Sequence, residues 1–486
     1  MISRNFSGAE LSRYEAHEVV ALLRKREVSP RELLDIAFSR IRETSPAINA
    51  TVTTCEERAY AAAGELKTEA PDHPGCLFGL PIGIKDLNNV AGVRTSFGNR
   101  HLADFVATKS EPMVERLEAR GALIAGKTNS PEFGAGGNTF NDVFGPTLNP
   151  WDTRLNAGGS SGGAAASLIA GETWLSQGSD HGGSLRTPAA YCGIVGLRPS
   201  PGRVGGGTPG ASFMTEGVQG PMARSVRDCA LFMDALSGSE PRDPISYPAP
   251  EGSFQEAVLR ADGKVRVAYS PDLNGFSPVD REMRTHLDEV MVILERSGAT
   301  VEATDPDLPN LERTYHTLRG VGFATMARRI DPAVRATFKA TLEANVKLGE
   351  ALTVGDIVDA NLDRAILYDK MLELFKHFDV LACPTVGCMP HPQTEEYVSR
   401  IDGQELGFYM DWLRFAFLAT TTSLPAISVP VGLGPRNLPV GLQLIGKPRG
   451  EAALLSAARA VEMAVGGPFG PIDPNVSDAR LSAPTV

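Results

Sequence analysis

Two serines set the chemical question in this chain. Ser160 lies in Ala157-Gly158-Gly159-Ser160-Ser161-Gly162-Gly163, and Ser184 in Gly178-Ser179-Asp180-His181-Gly182-Gly183-Ser184-Leu185-Arg186-Thr187-Pro188. Each stands beside paired glycines. Glycine lets the backbone turn sharply and lets main-chain N–H groups reach a substrate oxygen with no side chain in the way. A serine hydroxyl flanked by such donors has the two parts that acyl transfer needs, a nucleophile and an oxyanion hole. The open question is the base. Lys85 ends the apolar run Leu80-Pro81-Ile82-Gly83-Ile84. A lysine at a strand end inside a fold is desolvated, which lowers its pKa and lets it act neutral. Taken alone, Lys85 reads better as a structural lysine paired with Asp86.

The segments that must position these groups read as an α/β chain. Leu80–Ile84, Ala122–Ala125 and Ile194–Leu197 are apolar runs that predict strands, and Glu111–Arg120 and Ser225–Leu236 predict helices between them. Upstream, Leu11–Arg26 predicts a helix, and Ser29-Pro30 starts another as a cap followed by proline. Residues 237–262, rich in Pro, Ser and Gly, predict an exposed connector. A mostly helical stretch follows at about 279–296 and 308–377. Strands return at Val380–Cys383, Ala426–Pro430 and Gly441–Ile445, followed by a helix at 451–465. The Pro-rich tail after Gly466 predicts a loosely held end. Strands that return after the helices imply one sheet completed from both ends of the chain.

Three short patterns point elsewhere. Gly121-Ala122-Leu123-Ile124-Ala125-Gly126-Lys127-Thr128 matches the phosphate-loop spacing, but such a loop follows a strand and opens a helix. Here a helix precedes it, Gly121 reads as that helix's cap, and the middle residues read as strand. Gly205, Gly207 and Gly210 match a dinucleotide spacing, yet Pro209 stands where a helix should begin, so this reads as a loop. Gly158-Gly159-Ser160-Ser161-Gly162 fits the nucleophile elbow, which needs a strand before it and an acid and a histidine after it. A turn-like Asn149-Pro150-Trp151-Asp152 precedes it, while His286, His316, His377 and His391 follow. A Ser-His-Asp esterase of the α/β-hydrolase type therefore stays open, and so does a Ser–His dyad through His181.

Composition narrows the class. The chain has 486 residues, 42% of them apolar, and a formal net charge of −11. With no block of like charges, this mixed acidic surface argues against nucleic acid and anionic membranes. Cys55, Cys76, Cys192, Cys229, Cys383 and Cys388 form no CxxC pair. They read as reduced thiols of a cytoplasmic protein, not as a disulfide framework or zinc site. Arg13, Glu15, Glu18 and Arg24 break segment 11–26, which is neither a signal peptide nor a membrane span.

Taken together, these segments resemble the amidase signature family over nearly the whole chain. The resemblance rests on Gly79-Leu80-Pro81-Ile82-Gly83-Ile84-Lys85-Asp86, Gly126-Lys127-Thr128-Asn129 with Glu132-Phe133, Phe144-Gly145-Pro146, the two serine segments, and Cys192-Gly193-Ile194-Val195-Gly196-Leu197. Leu424-Pro425-Ala426-Ile427-Ser428-Val429-Pro430 and Leu438-Pro439-Val440-Gly441-Leu442-Gln443 add to it. It implies a single α/β domain over 1–486, with a twisted mixed β-sheet flanked by helices on both faces. Within it stand an N-terminal helical region (about 1–65), a catalytic core (about 75–235), a helical insertion (about 279–377) and a sheet-completing part (about 378–466).

The resemblance also implies roles. Ser184 is the nucleophile, Ser160 the bridging serine held through a cis peptide bond, and Lys85 the general base. The oxyanion hole maps to the N–H groups of His181, Gly182, Gly183 and Ser184, supported by Ser161, Asp180 and Arg186. Family position places Phe133, Phe144, Thr187, Tyr191, Cys192 and Trp412 near the pocket, with core packing as the competing reading. Few of these are charged, which favours neutral apolar aryl or alkyl amides as substrates, with esters and carbamates within reach. No metal, nucleotide or organic cofactor is implied. The partner is a small-molecule amide, not nucleic acid or membrane, and a homodimer stays open. Glutamine-handling members usually carry Gln after the arginine, where this chain has Thr187. The glutaminase subunit of a tRNA-dependent amidotransferase is thus the alternative. His181 departs from the small or aliphatic residue usual at its position.

Overall fold

The computed structural model describes residues 5–66, 73–206 and 212–476. Among these, eleven strands form one sheet. In chain order they are β1 (Thr51–Thr54), β2 (Pro81–Lys85), β3 (Leu123–Thr128), β4 (Leu175–Asp180), β5 (Val195–Arg198), β6 (Val218–Ala223), β7 (Arg266–Tyr269), β8 (Thr300–Ala303), β9 (Val380–Pro384), β10 (Ala426–Leu433) and β11 (Pro439–Gly446). Across the sheet the order is β1-β3-β2-β4-β6-β5-β10-β11-β9-β7-β8. Strand β2 runs parallel to both β3 and β4, whereas β4–β6, β6–β5 and β5–β10 are antiparallel. The sheet is therefore mixed, helices flank it, and the C-terminal strands complete it.

Every residue of β2 and β3 is buried. Strands covered on both faces read as continuous apolar runs, which is how β2 shows itself in sequence. The helix Gly162–Ile169 is buried along its whole length and packs on β2, β3 and β4. Small residues permit that approach: a Cβ at Gly163 would lie 2.3 Å from the Asn129 nitrogen.

Several boundaries differ from the sequence reading. The first helix is Ala16–Lys25 and does not start at Leu11, because Glu15 caps it and the Glu18 carboxylate accepts from the Glu15 N–H at 2.8 Å. The connector 237–262 contains a helix, Phe254–Leu259, capped by Ser253. Phe254 and Val258, four residues apart, bury one face of it. Part of the tail is tied down: the Ile472 N–H donates to the Ile169 carbonyl at 2.8 Å, and Arg40 holds the Asp473 carboxylate at 2.8 Å. Residues 477–486 lie outside the described residues, as do Gly207, Pro209 and Gly210 of the dinucleotide-like loop. Lys127 of the phosphate-loop pattern lies buried in β3 and pairs with Asp86 at 3.4 Å. No helix among the described residues is long and apolar enough to cross a membrane.

Candidate active site

Lys85 ends β2 inside the protein and is fully buried. Its Nζ lies 2.7 Å from Ser160 Oγ, 2.9 Å from Ser161 Oγ and 3.0 Å from Ser179 Oγ. Asp86 is not its partner, since that carboxylate accepts from Ser96 and pairs with Lys127. Among the described residues no carboxylate lies within ion-pair distance of Lys85. Burial pushes the Lys85 ammonium down to about 7, and the Asp180 charge opposes the fall. An amine held by three neutral oxygens and sealed from water gives up its charge for want of solvation.

Ser160 and Ser161 form the turn that leads into the Gly162–Ile169 helix, and the Gly159–Ser160 peptide is cis. Ser184 sits in the turn between β4 and the helix Arg186–Cys192. The Ser161 N–H donates to the Ser184 carbonyl at 3.2 Å, which ties the two serine segments together. Ser184 is half-buried, and its hydroxyl makes no hydrogen bond to Ser160 or to any other described residue. The structure thus brings Lys85 and Ser160 into contact, and ties Ser184 to Ser161 through the backbone alone among the described residues.

The turn before Ser184 is built around Asp180. Its carboxylate takes Arg186 Nε at 3.1 Å and Nη2 at 2.8 Å, Arg198 Nη1 at 3.3 Å, and the N–H groups of Gly183 at 3.1 Å and Leu185 at 3.0 Å. These charges and donors overcome burial and hold the carboxyl well below the usual range. The Gly183 N–H, expected in the oxyanion hole, is therefore committed to Asp180. For the other three N–H groups, the carbonyl of the same peptide is pinned. The Asp180 carbonyl accepts from Arg198 at 2.8 Å, the His181 carbonyl from Thr420 Oγ1 at 2.8 Å, and the Gly183 carbonyl from the Thr187 N–H at 2.7 Å. In a trans peptide C=O and N–H point opposite ways, so the N–H groups of His181, Gly182 and Ser184 are aimed away from those partners. None of the three has a partner among the described residues. Gly183 adopts φ 95°, which side chains disfavour.

Asp180→Asn would leave Arg186 and Arg198 buried against a neutral amide. The expected loss is about 3–5 kcal/mol, the cost of breaking a buried ion pair from one side, read as a lower urea midpoint. A midpoint equal to that of the wild type would contradict the bracing role.

The pocket residues divide. Thr187 is buried with its hydroxyl 2.9 Å from where a Gly183 Cβ would stand. Phe133 stacks on Phe97 and lies tilted against Phe338, beside Gly134, whose Cβ would lie 3.5 Å from Ser160 Oγ. Trp412 packs on Gly137, under the cis-peptide turn. Tyr191 and Cys192 lie in the core instead: the Tyr191 hydroxyl meets Cys388 Sγ at 3.5 Å, and the Cys192 thiol donates to the Ala157 carbonyl at 3.5 Å. Phe144 turns toward Arg94, whose guanidinium sits 4.6 Å from its ring.

Both ring nitrogens of His181 are buried without a hydrogen-bond partner among the described residues. Burial, reinforced by Arg319, pushes its pKa down to about 3. An imidazole this weakly basic, with no bond to Ser184 among the described residues, is poorly suited to be the base of a Ser–His dyad. Of the histidines that could serve a triad, His286 bonds the Val431 carbonyl and His391 the Glu395 carbonyl. Sequence reasoning missed Arg198, Thr420 and Tyr315; Ser179, which Lys85 reaches, and Gln443, which accepts from Arg186 at 2.6 Å, were visible as motif residues without a role.

Comparison with known proteins is consistent with this geometry. The profile described as Amidase matches residues 32–455. An acylamidase of Rhodococcus erythropolis is 35% identical over 448 residues, covering 91% of this chain and 94% of its own length. A glutamyl-tRNA(Gln) amidotransferase subunit from Thermus thermophilus is 37% identical over 481 residues, covering 92% of this chain and 97% of its own. Among solved structures, a bacterial aryl acylamidase of the amidase signature enzymes superposes with a TM-score of 0.86 at 29% identity, over 94% of this chain and 99% of that one.

Proposed function

The chain belongs to the amidase signature family and is an amidase, and from that premise we propose that it cleaves carboxylic amides through an acyl-enzyme on Ser184. One observation carries this reading: a fully buried Lys85 whose Nζ is 2.7 Å from Ser160 Oγ, with no carboxylate of the described residues within ion-pair distance. Neutral Lys85 takes the Ser160 proton as Ser160 takes the Ser184 proton. Ser184 Oγ attacks the amide carbon, and the oxygen that gains charge faces the N–H groups of His181, Gly182 and Ser184. The proton then passes to the leaving amine, the C–N bond breaks, and water repeats the cycle on the ester. The link from Ser160 to Ser184 is not made in the free protein; bonds of this kind often close only in the complex. Asp180 and Arg186 act by holding the turn.

The acyl group lies against apolar walls such as Phe133, so each buried methylene adds about 0.8 kcal/mol. Measured as kcat/KM over acetyl, butyryl, hexanoyl and benzoyl anilides beside free glutamine, the longer and aryl amides are expected to exceed acetyl, and glutamine to be poorest. Glutamine would need a partner for its ammonium, and Thr187 offers no charge. A best rate with glutamine would instead favour the glutaminase reading that the Thermus relative suggests.

A further inference from the structure

Gly182, two residues before Ser184, meets one face of the helix Leu311–Ala327. Tyr315, Arg319 and Phe323, spaced four apart, share that face. Tyr315 stacks on Phe417 with ring centroids 3.6 Å apart, and a Cβ at Gly182 would stand 2.2 Å from the Tyr315 hydroxyl. That hydroxyl faces the Arg319 guanidinium, and it is buried with no hydrogen-bond partner within 3.5 Å among the described residues. The His181 ring, tilted against Phe323 at 6.2 Å, lies beside them with both nitrogens unpartnered among the described residues.

Arg319 is 4% exposed. Its Nε donates to Asn345 Oδ1 at 2.8 Å and its Nη2 to the Tyr409 hydroxyl at 2.8 Å, while its Cζ sits 4.6 Å from the Phe323 ring. All of these are neutral. Among the described residues Nη1 makes no hydrogen bond and no carboxylate pairs with the group. Glu216, the acid that faces His181, is taken by Arg364 at 2.9 Å. A buried guanidinium without a counter-charge is costly, and the deficit is made good by an anion. A planar fork with a free nitrogen suits a carboxylate.

We propose that Arg319, with the Tyr315 hydroxyl, forms an anion subsite beside the Gly182 turn, so that the preferred substrate is an amide bearing a carboxylate. This rests on the Ser184 reading and deepens it. The uncharged wall residues evident in sequence give no sign of it. The apolar body of the substrate lies along the wall, and its carboxylate accepts from Arg319 Nη1.

Calorimetry on Ser184→Ala protein reads the subsite without turnover. The ligands are succinyl, glutaryl and adipoyl monoanilides, each beside the twin whose free acid is replaced by a primary amide. N-acetyl-4-aminobenzoate beside N-acetyl-4-aminobenzamide places the charge on the amine side. At least one acid is expected to bind about ten-fold tighter or more than its neutral twin, as a charge-assisted hydrogen bond provides. Adding Arg319→Met should bring that ratio to about one, and Arg319→Lys should keep part of it. Equal or weaker binding of every acid overturns the subsite, as does a ratio that Arg319→Met leaves unchanged. If Arg319→Met does not fold, the acid-to-amide ratio with Arg319 in place decides alone. Turnover by the Ser184→Ala protein would instead strike the nucleophile assignment, which the binding ratio does not depend on.

Discussion

Ser184→Ala is expected to lower kcat for an anilide by about 10³–10⁶, the range found when a serine hydrolase loses its nucleophile. The residual rate comes from binding and from the N–H groups of His181, Gly182 and Ser184, which the substitution keeps. The fold should not notice. The Ser184 hydroxyl makes no hydrogen bond among the described residues, so its removal is expected to shift stability by less than about 0.5 kcal/mol. Activity and a urea titration on the same preparation separate the two effects. A variant with more than about a tenth of the wild-type rate would remove Ser184 from its role.

Lys85→Ala is expected to be nearly as severe, and Lys85→Arg should not restore activity, because arginine stays protonated and cannot take a proton. The pH dependence follows from the same residue. Burial brings Lys85 down to about 7. The reactive form is the neutral one, so kcat/KM should be low below pH 7, rise through it and level off above. His181 is held neutral down to about 3, so it adds no inflection in that window. The profile of His181→Gln should keep its midpoint near 7, whatever its plateau. A flat wild-type profile from pH 5 to 10 would contradict a lysine base, and loss of the inflection in His181→Gln would assign it to the histidine.

The parts of the site that sequence made legible are those written locally. Lys85 ends an apolar run that becomes a strand buried on both sides. Ser160 and Ser184 stand among glycines that the turns require. Other parts come from elements far away in the chain. Tyr315 and Arg319 read as ordinary positions on a helix, and only the packing of Tyr315 against Gly182 and of Arg319 against Asn345 and Tyr409 gives them a place. Arg198 and Gln443 lie on strands, where nothing local says that they meet Asp180 and Arg186. Strand β4, Leu-Ser-Gln-Gly-Ser-Asp, carries no strand signal in sequence, because its buried residues are polar. Gln177 is satisfied there by Gln219 and by the Lys85 N–H, partners that no local pattern names. Tyr191 and Cys192 show the competing reading of core packing. Their neighbourhood to the serine segment is real in sequence, but the short helix Arg186–Cys192 turns both inward, toward Cys388 and Ala157.

The covalent intermediate is the most direct test. Protein mixed with a 4-nitrophenyl acyl ester and quenched with acid within the first turnover should gain the mass of one acyl group, and peptide mapping should place it on Ser184. Lys85→Ala protein should show little of this adduct on the same timescale. An acyl group found on Ser160 or on a cysteine, or rapid turnover with no adduct, would contradict the Ser184 acyl-enzyme.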